Sequence, residues 1–236
     1  MIWSQSRLRR IAVALVIIVV QSVAAAATPK PHVISFGKWT TVRLSATGAT
    51  DDKPLTLKVR PLLLDDRVKE FTLGPAHDVT DRLFVVRRAF RVNDSLPQES
   101  TFPPRWQWQM GGWLLVDRIT GRTSPINLPG FDVFYSAVSW YRDYAAYCGV
   151  SDNGKKIYAM VAQLNRRKPV LKKPLEGEIL AENAAESACP VPVWQRTPAR
   201  VTFEPAASPK QTFAIRGHIV DLVNESEELE DEEGSK

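Results

Sequence analysis

Histidine, cysteine and methionine are scarce here: three, two and three residues in a chain of 236. The histidines are His32, His77 and His218, and none lies at ligand spacing from a cysteine, so a thiolate–imidazole metal site is not expected. No G-x-S-x-G elbow, H-E-x-x-H pair, Walker loop or Rossmann glycine pattern occurs, which removes the common hydrolase, zincin and nucleotide signatures. His77-Asp78 stand in a Gly-Pro-rich stretch that reads as loop. His218 lies three residues before Asp221 on an expected strand, where positions three apart face opposite ways. The adjacent pairs Asp51-Asp52 and Asp65-Asp66 read as turn chemistry. The expectation is therefore no catalytic residue, no metal and no cofactor.

Long apolar runs are absent too, apart from one. Ile11–Val20 is ten apolar residues, preceded by Arg7, Arg9 and Arg10 and followed by the small residues Ala24–Ala27. This order of basic, apolar and small segments predicts a signal peptide over residues 1–27. An uncleaved anchor is the alternative, and is the only membrane contact expected. Residues 28–224 are predicted to form one β-rich domain of a secreted or periplasmic protein. Residues 225–236 are predicted to be a disordered acidic tail, with seven carboxylates among Glu225–Glu233.

Charge is segregated along the chain. The whole carries +5, but residues 28–224 alone hold 27 basic and 19 acidic side chains. Such a body favours polyanions in general, and the acidic tail could screen it. The basic residues are dispersed, as in Arg87-Arg88, Arg166-Arg167-Lys168 and Lys172-Lys173, so no nucleic-acid partner is expected. Two cysteines in an exported chain most often pair, so Cys148–Cys189 is predicted to be a disulfide.

The body reads as strands. Trp39–Ser45 alternates. Leu55–Leu64 and Val68–Leu73 flank Asp65-Asp66 as a hairpin, ending at Gly74-Pro75. Leu83–Val92, Trp106–Met110 and Trp113–Asp117 follow, the last two parted by Gly111-Gly112. Val133–Trp140, Tyr144–Val150 and Ile157–Gln163 read as a meander, with Asn153-Gly154 a strong hairpin signal. Arg200–Glu204 and Phe213–Val223 are closing strands. Gly177–Ala188, rich in Ala and Glu, suits one short helix. The fold class expected is all-β, mainly antiparallel meanders arranged as a propeller or a sandwich.

Trp113-Leu-Leu-Val-Asp-Arg-Ile-Thr-Gly-Arg122, Ser139-Trp-Tyr-Arg-Asp-Tyr-Ala-Ala-Tyr147 and Asn153-Gly-Lys-Lys-Ile-Tyr158 resemble strand-turn-strand units of TolB-like and WD40-like β-propeller blades. The resemblance covers residues 112–175. Tyr141-Arg142 replaces the usual Ser-Pro, and Tyr144 stands where the turn glycine belongs. It implies docking of a ligand or protein rather than a defined reaction.

Aromatics supply the candidate site. Trp106 and Trp108 alternate onto one strand face, Trp113 follows closely, and Arg105 precedes them. Exposed, such a row could stack on sugar rings or bases, with arginine adding a charge contact. Buried, it would be core. The function expected is non-catalytic binding or assembly in the periplasm or cell envelope, with a protein or glycan partner. The alternatives are a carbohydrate-binding module built on these tryptophans, and a secreted hydrolase whose site carries no familiar motif.

Overall fold

The computed structural model describes residues 32–44, 56–95, 104–175, 189–206, 209–216 and 219–222. All belong to the second of two compact units, residues 32–236. The described part is all-β, with no helix among the described residues. The segment expected to be helical, 177–188, lies outside them.

Among the described residues, fifteen strands form three antiparallel sheets. The first contains β1 (Ile34–Phe36), β2 (Thr40–Arg43), β3 (Thr56–Leu64), β4 (Arg67–Asp78), β5 (Leu83–Asn93), β6 (Trp106–Asp117) and β7 (Thr123–Ile126). Strands β3 to β7 run as a meander, and β1 and β2 both pair with β3. The second is the meander β8 (Ser139–Tyr141), β9 (Tyr144–Val150), β10 (Ile157–Gln163) and β11 (Leu171–Leu175). The third is the meander β12 (Val193–Gln195), β13 (Arg200–Phe203), β14 (Gln211–Arg216) and β15 (Ile219–Leu222).

Turn chemistry sets these hairpins. Asp65 and Asp66 take positive φ, 49° and 63°, the backbone of a tight two-residue hairpin whose twist suits its strands. The Asp65 carboxylate accepts from the Val33 N–H at 2.9 Å and pairs with His32 at 2.7 Å, which ties β1 to the turn. Gly121 (φ +63°) closes the β6–β7 turn. A Cβ there would lie 2.5 Å from Leu64 Cδ1, so only glycine fits without a shift.

Several boundaries differ from expectation. Gly74-Pro75 does not end a strand. The pairing of β4 with β5 breaks between Leu73 and His77 and resumes, so the glycine and proline sit in an irregularity that the strand crosses. Gly111-Gly112 likewise lies inside one continuous β6. Of Val133–Trp140 only the end is strand. Asp132 accepts the N–H groups of Phe134 and Tyr135, at 2.7 and 3.0 Å, and holds that segment as a turn. Phe213–Val223 is not one strand but the hairpin β14–β15.

The first sheet is strongly bent. Register shifts fall between Leu62 and Leu63, Leu73 and His77, and Arg87 and Ala89, in successive strand pairs. Bulges aligned this way add local twist. Leu62 of β3 therefore joins Phe84, Val86, Leu114 and Val116 of β5 and β6 in one buried cluster. A parallel bridge from Leu44 to Trp108 brings the end of β2 onto β6. Each fully buried side chain such as Phe84 contributes roughly 1.5–3 kcal/mol.

The second sheet is a middle layer. One face of β9 and β10 (Ala146, Cys148, Ile157, Ala159, Val161) packs on Val201, Phe203, Phe213 and Ile215 of the third sheet. The other face (Ala145, Tyr147, Met160, Ala162) packs under Trp113, Ile126, Leu128 and Phe131. Burial on both faces explains why Tyr144–Val150 shows no apolar–polar alternation. Cys148 and Cys189 are at disulfide distance, their Cα atoms 6.2 Å apart, linking β9 to the entry of β12. The Trp194 indole N–H adds a bond to the Ser139 carbonyl at 3.1 Å, across the same two sheets.

Candidate functional site: an aromatic and arginine face

The pairing of β5 with β6 decides where the tryptophans point. Trp106, Trp108, Met110 and Trp113 stand opposite Asn93, Arg91, Ala89 and Arg87. Those β5 residues are two apart, so all share one face. Trp106, Trp108 and Trp113 therefore also share a face, although 113 has the wrong parity. Gly111 and Gly112 together oppose Arg88, and this extra residue restores the alignment. A Cβ on Gly111 would meet Arg88 Cβ and its carbonyl at 3.2 Å, so the crowded strand favours glycine there.

Sharing a face does not give the three indoles one environment. Trp106, at the outer end of the β5–β6 hairpin, is 58% exposed. Trp108 is half-buried and meets the Phe71 ring edge-on, centroids 5.0 Å apart, against Val59, Leu73 and Ala89. Trp113 lies about 20 Å along the strand from Trp106, given roughly 3.4 Å per step. It is covered by Trp140, 5.3 Å away between centroids. Trp113 belongs to the layer contact, and Trp106 to the surface.

Arg91 completes the exposed end. Its guanidinium carbon lies 5.8 Å from the Trp106 ring, 5.4 Å from Trp108 and 5.7 Å from Phe71. These are cation–π distances, and they hold an exposed charge beside an exposed indole. Arg105 contributes through its main chain: its N–H donates to Ser95 Oγ at 3.0 Å and its carbonyl accepts from Asp94 at 2.8 Å. These bonds extend the ladder that presents Trp106. Sequence reasoning missed Arg91, because its place depends on the register with Trp108.

Further along this face is a hollow of about 470 Å³ bounded by His77, Arg87, Trp113, Trp140 and Val191. His77 lies on β4, not in a loop, and its ring stacks on Trp140 with a 21° interplanar angle. Its Nε2 pairs with the Arg142 carbonyl at 2.9 Å. Arg87 donates to the carbonyls of Val133 and Gly111, and burial pushes its pKa down, partly opposed by Asp132. Both groups staple the first sheet to the loop and turn that precede and follow β8. None of the described residues lining the hollow is a carboxylate. No cluster of metal-ligating side chains occurs among the described residues. His218 lies outside the description.

The chain matches no protein-family model, no curated protein and no solved structure.

Proposed function

We propose that this chain is an exported, non-catalytic binding or assembly protein of the periplasm or cell envelope. The observation that carries the binding half is the exposed Trp106 beside Arg91, seated on half-buried Trp108. An exposed indole with an arginine at cation–π distance supports a recognition role. Export draws support from the N-terminal basic–apolar–small pattern and from the cysteine pair, which suits an oxidising space. Of the segments that resemble propeller blades, Ser139–Tyr147 and Asn153–Tyr158 fall in the meander β8–β11, whereas Trp113–Arg122 belongs to the first sheet.

The same patch favours a glycan as second reading, since a sugar's C–H face stacks on an indole while arginine bonds its hydroxyls. The test offers a panel of glycans and solubilised envelope proteins to the immobilised protein and to its Trp106→Ala and Arg91→Gln forms. The expected result is a ligand lost by about tenfold or more in both variants, with melting temperature held. Undiminished binding by both variants would remove the patch as the site. Export is checked by sequencing the N-terminus of periplasmic material, which should begin near Thr28; full-length chain retained in the cytoplasm would refute it.

A further inference from the structure

On the opposite face of the first sheet, Lys58 and Arg60 flank the inward Val59 along β3. Register places Thr41 opposite Lys58 and Thr72 opposite Arg60. With Trp39, Gly74 and Pro75, the residues Thr41, Lys58 and Arg60 line a groove of about 690 Å³.

Arg60 is held by rings rather than by an acid. Its guanidinium carbon is 3.9 Å from the Phe36 centroid and 4.5 Å from that of Trp39. Its Nε is buried and meets no acceptor. Three other arginines on or beside this sheet do meet an acid: Arg82 meets Asp117, Arg88 meets Glu70 and Arg118 meets Asp78. The Arg60 guanidinium and the exposed Lys58 ammonium have no ion pair among the described residues. Among the described residues no acidic side chain lines the groove, and none occurs in β1, β2 or β3. Partial burial pushes the Arg60 pKa down.

Two packed rings restrict the guanidinium's orientation and leave its N–H groups unspent. This is a preorganised fork for a carboxylate or sulfate. Trp39 is 46% exposed and offers indole surface at the same groove. Thr41 adds a hydroxyl. We propose that this groove binds an acidic sugar, its carboxylate or sulfate on Arg60 and Lys58 and its ring on Trp39. A single-stranded nucleic acid fits less well, because such ligands use several stacked aromatics along a basic track. Here one exposed indole and two cations are confined to a space suited to a small ligand.

The experiment titrates the purified full chain with oligogalacturonate, a sulfated oligosaccharide, a neutral malto-oligosaccharide and oligothymidylate, using calorimetry and tryptophan fluorescence. Because Arg60 also packs on Phe36, the discriminating variant is the exposed Lys58→Glu, with Trp39→Ala beside it. The expected result is binding of the carboxylated or the sulfated sugar, whichever anion fits. The neutral sugar should bind about tenfold or more weakly, and Lys58→Glu should lose about tenfold with its melting temperature unchanged. Loss in Lys58→Glu and Trp39→Ala places the ligand in this groove rather than at the patch on the other face. No binding of either acidic sugar, equal binding of the neutral one, preference for oligothymidylate, or full affinity in Lys58→Glu and Trp39→Ala would each overturn the proposal.

Discussion

Single side chains in this protein are fixed by what they find within a few ångströms, and Asp117 shows it clearly. It ends β6, accepts both Arg82 Nε and Nη2, at 3.0 and 2.5 Å, and caps the following turn through the N–H groups of Ile119 and Thr120. The Arg82 guanidinium, then these N–H groups, hold its carboxyl well below the usual carboxylate range, against a smaller opposing effect of burial. A lowered folded pKa means that stability is present above the unfolded value, near 4, and is lost as pH falls below it. Asp117→Asn should be less stable than wild type at neutral pH, and the gap should narrow on acidification from about pH 5 to about pH 2. Urea unfolding at a series of pH values measures this; a gap independent of pH would show that the ion pair contributes nothing.

At the scale of elements, the long strands were legible, β9 and β10 to the residue, while the short strands β1, β7, β11 and β12 and the strand ends next to bulges were not. The Asp65-Asp66 hairpin, the β5 strand and the β9–β10 pair follow from alternation, apolar content and turn residues. Gly74-Pro75 and Gly111-Gly112 look like punctuation in sequence, because a bulge and a turn draw on the same residues. Cross-strand register distinguishes them, and register is a long-range property. The candidate site failed to resolve for the same reason: the shared face of Trp106 and Trp108 is a matter of parity, whereas the burial of Trp113 depends on another sheet. The bulge makes a firm prediction. Deleting Gly112 should turn Trp113 to the opposite face, along with everything after it on β6. Loss of near-UV tryptophan circular dichroism and a destabilisation above about 3 kcal/mol are expected, as for loss of a large core side chain. A native spectrum would mean that the strand can slip without cost.

For the whole molecule, stability comes from layers and from a cysteine pair at disulfide distance between two of them. Cys148 and Cys189 are separated by 41 positions, and closing a loop of that size stabilises by about 4 kcal/mol in the chain-entropy account. Reduction, or Cys189→Ala paired with Cys148→Ala, should lower the melting temperature by about 8–15 °C for a body of this size. An unchanged melting temperature after reduction would show that the packing of Phe203 and Phe213 under β9 and β10 holds the third sheet unaided.

The middle layer has a consequence for how this chain can vary. Ala145 and Ala162 face one neighbour, Ala146 and Ala159 the other, all nearly or fully inaccessible. At these four positions the outer layers meet only methyl groups, between the larger Tyr147 and Met160 on one face and Ile157 and Val161 on the other. Any enlargement there wedges a neighbouring sheet away, while changes on the outward faces disturb only one. Neutral drift should accordingly be concentrated at the two outsides of the stack, with the alanine pairs in β9 and β10 its most resistant positions.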